Sequence, residues 1–260
     1  MVTYLKELIS FRELLFTWTK RDFKVRYSQS ILGAAWAIIQ PLSLMIVFSV
    51  IFSTFLKVPT DGIPYPVFAY TALLPWTFFS NSLSFAIPSL VSNMNLVSKI
   101  FFPREILPLS SIFVCLIDFL ISISILILLF IWYQTPIGWS ALLVPLILLI
   151  QIVLIYGISL LASAVNVFYR DVRFIIPLVL QVWMYLSPII YPANLVPDWL
   201  KPIYFINPMA VIIDSYRRLL LYQQMPDWPY LGLTIVISFA LLFFSYRYFK
   251  TSEREFADLI

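Results

Sequence analysis

Few residues in this 260-residue chain can do chemistry, and their scarcity narrows its function. There is no histidine and a single cysteine, Cys115. Imidazole acid–base catalysis and Ser/His or Cys/His nucleophilic pairs are excluded, and a zinc site built on one thiol is not expected. One cysteine forms no internal disulfide and leaves the redox compartment open. Asp118 is the one acidic residue within a long apolar stretch, FVCLIDFLISI. A carboxylate in lipid costs roughly 2.5–3.5 kcal/mol on insertion scales. It must therefore face the bundle interior, a subunit interface or water, either lining a path or pairing with a hydroxyl or a basic group. A lone intramembrane acid is thin support for a proton relay. Asp171 and Asp214 are the other acids that a surface reaction could use, and neither has a partner carboxylate nearby in sequence. The five glycines, Gly33, Gly62, Gly138, Gly157 and Gly232, build no phosphate loop of the GxxxxGKS/T type.

Aromatic residues make up 18% of the chain. Many belong in belts at the two membrane interfaces. Trp36, Phe78, Phe79, Phe85, Trp183 and Tyr185 fall within apolar runs instead. With Asp118 they are candidates to line a path. Flat rings suit ligands such as sugars, which present C–H faces and hydroxyls together, although the same rings also serve as packing or lipid-facing bulk.

The elements that position these residues follow from composition. Hydrophobic residues make up 62% of the chain and charged residues 12%, against about a quarter charged in soluble domains. An integral membrane protein is expected. Its start, MVTYLKELISFRELLF, scatters charges among apolar residues and lacks a small-residue cleavage site, so no cleavable signal is expected. Residues 27–56, 62–98, 174–197 and 228–246 carry no charge, and 106–169 carry only Asp118. The long third run breaks near Pro136 and Gly138. A span needs roughly 20 apolar residues. Six helical spans are predicted, at about 32–56, 67–92, 106–132, 141–165, 174–190 and 230–249, because backbone groups in lipid must bond internally. The alternating ten-residue segments of a β-barrel are not present. Pro41, Pro75, Pro88, Pro145 and Pro177 predict kinks.

An even span count puts both termini on one side. That side carries Lys6, Arg12, Lys20, Arg21, Lys24, Arg26, Lys99, Arg104, Arg170, Arg173, Arg247, Lys250 and Arg254. The other has Lys57, Lys201, Arg217 and Arg218. The bias predicts cytoplasmic termini. Basic residues at membrane edges read as topology signals, so no nucleic acid partner is expected.

Three pieces do not span. Within 1–30, Tyr4, Leu8, Phe11, Leu15 and Trp18 form one helical stripe, predicting an amphipathic interface helix. The link 93–105, NMNLVSKIFFPRE, is too apolar for an idle cytoplasmic loop and predicts a short helix that packs on something. The far segment 191–229 holds six of the eighteen prolines. Inside it, Met209–Tyr222 predicts a helix too short to span, capped by Asn207 with Pro208 in its first turn. It reads as a re-entrant gate or a plain lid.

Five blocks resemble a known family. ILGAAWAIIQPL (31–42), LLPWTFFSNSL (73–83), NLVSKIFFPREILPLS (95–110), RDVRFIIPLVLQVWMYLSPIIYP (170–192) and INPMAVIIDSYRRLLL (206–221) resemble, in order, the type-2 ABC exporter permeases that move polysaccharides, a family that includes O-antigen, capsule and teichoic acid permeases. The resemblance spans nearly the whole chain. It implies a single all-α inner-membrane domain, 1–260, working as a homodimer with two cytoplasmic ATPase subunits. ATP and Mg would bind the partner, and no cofactor or catalytic residue is expected here. It implies a coupling helix at Asn95, Leu96, Val97, Ser98, Lys99, Ile100, Phe101 and Phe102. The cargo it implies is a polysaccharide, often on a polyprenyl diphosphate lipid. Lys20, Arg21, Lys24 and Arg26 then become candidates to meet that head group, or serve only as orientation signals. Asn207, Pro208, Arg217 and Arg218 become outer-gate candidates. Beside this reading stand a drug or lipid exporter of the same architecture and a membrane enzyme on lipid-linked sugars, the latter resting on Asp171 and Asp214.

Overall fold

The computed structural model describes residues 10–28, 30–97, 102–253 and 255–256. Tyr4, Lys6, Leu8, Ser98, Lys99, Ile100, Phe101 and Arg254 lie outside the described residues, as does the side chain of Val97. Among the described residues the regular structure is helical, without a strand. Helix α1 covers Arg12–Tyr27. Helix α2 runs Gly33–Phe55, opening as a 3-10 turn and widening into π geometry over Ser49–Phe55. Helix α3 is Tyr65–Ala86, followed by the short α4 (Ser89–Ser92) and α5 (Met94–Val97). Helix α6 is Ile106–Trp132, and α7 is Val144–Phe168, entered through the 3-10 turn Trp139–Leu143. Then come α8 (Val172–Tyr185), α9 (Lys201–Tyr204), α10 (Pro208–Leu220) and α11 (Trp228–Ser252).

Among the described residues, four stretches are long and apolar enough to cross a membrane: Gly33–Phe55, Ile106–Trp132, Trp139–Phe168 and Trp228–Ser252. Helices α8 and α3 pack into the same bundle. Helix α8 has 14 residues, about 21 Å of rise against a hydrocarbon thickness of about 30 Å. Helix α3 is long but less hydropathic, and burial explains why. It touches α2, α6, α7, α8 and α10, and 17 of its 22 residues are buried. A helix facing protein on all sides can carry Thr, Ser and Tyr, provided neighbours satisfy them. Tyr65 and Tyr70 donate to the carbonyls of Ile190 and Ser122, at 2.9 and 3.2 Å. Gln151 of α7 donates to Pro75 O at 2.7 Å and accepts from Tyr216 of α10 at 3.3 Å, pinning three helices together.

Proline acts differently at different positions. Pro41 cannot donate to Ala37 O, four residues earlier, yet α2 continues through it, and Ser122 Oγ of α6, shared with Asp118 O, reaches the freed carbonyl at 2.7 Å. At Ile87–Pro88 the helix stops, so the predicted span 67–92 is two helices. Helices α7 and α11 pack on each other at Gly157, where an added Cβ would meet Leu242 N at 3.0 Å.

Candidate functional site

The basic end of the bundle holds α1, α4, α5, the starts of α6 and α8 and the ends of α7 and α11. Helix α1 turns polar groups toward α6. Asp22 accepts from Ser110 Oγ at 3.1 Å. One turn on, Arg26 Nη1 reaches Asp118 at 2.7 Å, and Tyr27 donates to its other oxygen at 2.8 Å. Asp118 sits twelve residues into α6, about 18 Å along its axis, so the α1–α2 connection dips well into the bundle. Asp118 is thus paired with both a basic group and a hydroxyl. Arg26 also contacts Cys115 Sγ at 3.6 Å and lies 3.8 Å from the Phe85 ring centroid. Burial first, and then the bond to the Asp118 carboxylate, push the Tyr27 hydroxyl well above the usual phenol range.

A cavity of about 410 Å³ opens beside this pair. Trp36, Phe78, Phe85 and Asp118, four of the seven sequence-predicted path residues, line it together. Trp36 and Phe85 are half-exposed at its rim, while Phe78 is buried against Phe119. In its wall Asn81 Nδ2 donates to Gln40 Oε1 at 3.4 Å, and Ser30 accepts from Trp36 Nε1 at 3.1 Å. Aromatic faces, two amides and a neutralised ion pair suit a ligand with stacked C–H surfaces and hydroxyls.

The other three path candidates lie elsewhere. Phe79 is fully buried and meets Trp183 edge-on at 5.1 Å. Trp183 lines a second, largely apolar cavity of about 730 Å³ between α8 and residues 200–208. Tyr185 is exposed and lines neither.

The four basic candidates separate in the same way. Lys20 and Lys24 are exposed and form no ion pair among the described residues. Arg21 pairs with Asp22 at 3.2 Å, donates to Asn93 at 2.9 Å and covers the Trp18 ring. Arg26 is committed to Asp118. In the link, Asn95 is exposed, Leu96 is half-buried, and Phe102 is buried and stacks on Trp18 at 6.0 Å.

At the far end, Asn207 caps α10 by accepting from Met209 N at 3.0 Å, with Pro208 in the first turn. It also accepts from Trp183 Nε1 at 2.8 Å and donates to Ser187 Oγ at 3.1 Å, tying α8 to α10. Arg217 is a buried clamp, only 2% exposed. Its guanidinium donates to the carbonyls of Pro188, Ile189, Tyr191 and Phe68 over the Phe68 ring. Burial draws its pKa down to about 10, so it stays cationic near neutrality. Arg218 pairs with Asp214 at 2.6 Å, and Asp171 lies exposed at the opposite end of α8. Among the described residues no cluster of His, Cys, Asp and Glu could hold a metal.

Sequence reasoning missed Gln40, Asn81 and Tyr27. The amides carried a readable signal, as hydrogen-bonding side chains set in apolar helices. Tyr27 did not, because only the dip of the α1–α2 connection brings it to Asp118.

The protein family profile described as ABC-2 type transporter matches residues 13–221. The chain is 28% identical to an O-antigen export system permease protein RfbA from Myxococcus xanthus, over the whole of both chains. It is 29% identical to an O-antigen export system permease protein RfbA from Klebsiella pneumoniae, over 95% of each. Similarity to a polysialic acid transport protein KpsM from Escherichia coli is lower, 22% over 90% of this chain and 91% of that one. With apolar helices of spanning length and a family match over most of its sequence, this chain is a multi-pass integral membrane protein that belongs to the ABC-2 type transporter family.

Proposed function

We propose that this chain is the transmembrane half of an ATP-driven exporter of polysaccharide, with lipid-linked O-antigen as the cargo. The observation that carries the reading is full-length similarity to permeases named for O-antigen export. The 410 Å³ cavity supports it, because rings and amides that suit sugar units gather inside the bundle beside the Arg26–Asp118 pair, where α1 enters from the basic end. Two copies of the chain pair in the inner membrane, each crossing six times with cytoplasmic termini. A separate ATPase subunit binds ATP and Mg and seats the 95–102 segment of each copy. ATP closes the ATPase pair, the segments move, and the bundles part. In this reading the exposed Lys20 and Lys24 meet an anionic head group, while Arg26 holds Asp118. Asn207 and Arg217 brace the outer segment.

Deleting the gene should abolish surface polysaccharide and leave the lipid-linked polymer inside. A plasmid copy should restore export, and a copy with Trp36→Ala and Phe85→Ala should restore less. Unchanged surface polysaccharide in the deletion strain would overturn the reading. Similarity to the polysialic acid transport protein favours capsule export as the second reading. Loss of capsule with O-antigen intact would select it.

A further inference from the structure

A polar joint at the basic end lies outside the cavity, where the 93–105 link meets α6. Glu105, the last residue before α6, is 1% exposed. Its carboxylate accepts from Lys250 Nζ at 2.8 Å and from Tyr246 Oη at 3.3 Å, both on α11. Lys250 also pairs with Glu253 at 2.9 Å. Next to Glu105, the Arg104 backbone N–H donates to the Glu253 carboxylate at 3.3 Å, and its guanidinium donates to the Glu253 carbonyl. Around these groups lies a hydrophobic cluster separate from the main core, including Leu90, Phe102, Leu160, Phe249 and Phe256. The link's ends are thus held from two sides. Arg21 and Trp18 of α1 grip Asn93 and Phe102, and α11 grips Arg104 and Glu105.

We propose that the Glu105–Lys250 pair is a positioning joint that makes the end of the 93–105 link and the cytoplasmic end of α11 move as one body. A push on the link by the ATPase partner then drives α11 directly, together with α7, which packs on α11 at Gly157. The physical reason is that parting the joint would strand a buried carboxylate, a penalty well above that of separating a surface pair. The joint therefore travels intact while weaker contacts elsewhere rearrange. This inference rests on the chain being the driven half of an ATP-powered transporter.

The test uses the permease assembled with its ATPase in proteoliposomes, reading ATP hydrolysis and polymer moved per ATP. Glu105→Gln and Lys250→Met should keep hydrolysis within about twofold of wild type and lower transport per ATP at least fivefold. The conservative variant Lys250→Arg, which keeps a cation for both Glu105 and Glu253, should retain at least half of wild-type transport per ATP. Normal transport per ATP in both single variants overturns the joint. So does a Lys250→Arg complex that hydrolyses ATP but transports no better than Lys250→Met.

A second arm reads the shared motion within one protein, before and after bridging. In a Cys115→Ser background, Arg104→Cys and Glu253→Cys are bridged by a short bis-methanethiosulfonate reagent, whose disulfide links a reductant cleaves. If the two segments move as one body, the bridged protein transports as well as the unbridged one. Transport lost on bridging and regained on reduction overturns the proposal. A wild-type complex that moves no polymer would instead count against the transporter reading itself.

Discussion

Asp118→Asn removes one charge with little change of shape, and the structure sets its cost. Asp118 accepts from Arg26 at 2.7 Å and from Tyr27 at 2.8 Å. The two ionic side chains are 17% and 13% exposed, Arg26 the larger. A hydrogen bond to a charged group contributes about 1.5–3 kcal/mol, and stripping one partner from a fully buried pair costs about 3–5 kcal/mol. Asparagine keeps one acceptor for one of the two donors, and the cavity admits water on one side, so the lower range applies. We expect a loss of about 2 kcal/mol for Asp118→Asn and a similar loss for Arg26→Gln. In a chain of this size that lowers Tm by about 4–8 °C. Both changes break the same pair, so the double variant should lose about 1–2 kcal/mol less than the sum. The assay is a four-member thermal unfolding cycle in detergent, followed by tryptophan fluorescence. Additivity to within about 0.5 kcal/mol would refute the coupling of α1 to α6 through this pair.

Three further outcomes follow from packing. Arg217→Lys should destabilise the chain by about 2–3 kcal/mol and expose residues 186–207 to protease, because one ammonium cannot serve the carbonyls the guanidinium now bonds. An unchanged digestion pattern would count against the clamp. Gly157→Ala should cost about 1–3 kcal/mol, since its Cβ meets the Leu242 backbone rather than a flexible side chain. A Tm at or above wild type would show that α7 and α11 separate freely. Trp183→Phe should lose about 1 kcal/mol by leaving Asn207 one donor short, and a change within 0.3 kcal/mol would argue against that link.

What the sequence disclosed depended on the kind of physics involved. The long apolar helix α6 was readable because lipid tolerates no charge except a paired one, and the helix covers Ile106–Trp132. The Asn207–Pro208 start of α10 was readable because capping is local. Pro41 was not, because its effect depends on Ser122, far along the chain, reaching Ala37 O. The π widening at Ser49–Phe55 left no sequence signal that we can identify. Among the path candidates, residue type did not disclose depth. Trp36, Phe78, Phe85 and Asp118 share a cavity, while Phe79 has the same chemistry and is sealed in the core. The family resemblance marked Arg217 as an outer-gate candidate but carried no sign of its burial. Its carbonyl partners come from a turn whose path only the fold defines.

The claim that this chain is a permease driven by a separate ATPase is tested most directly by reconstituting it in liposomes with and without that subunit. ATP should be hydrolysed only when the ATPase is present, and lipid-linked polysaccharide moved across the bilayer only when both are. ATP turnover by this chain alone, or polymer movement without the ATPase, would contradict the account.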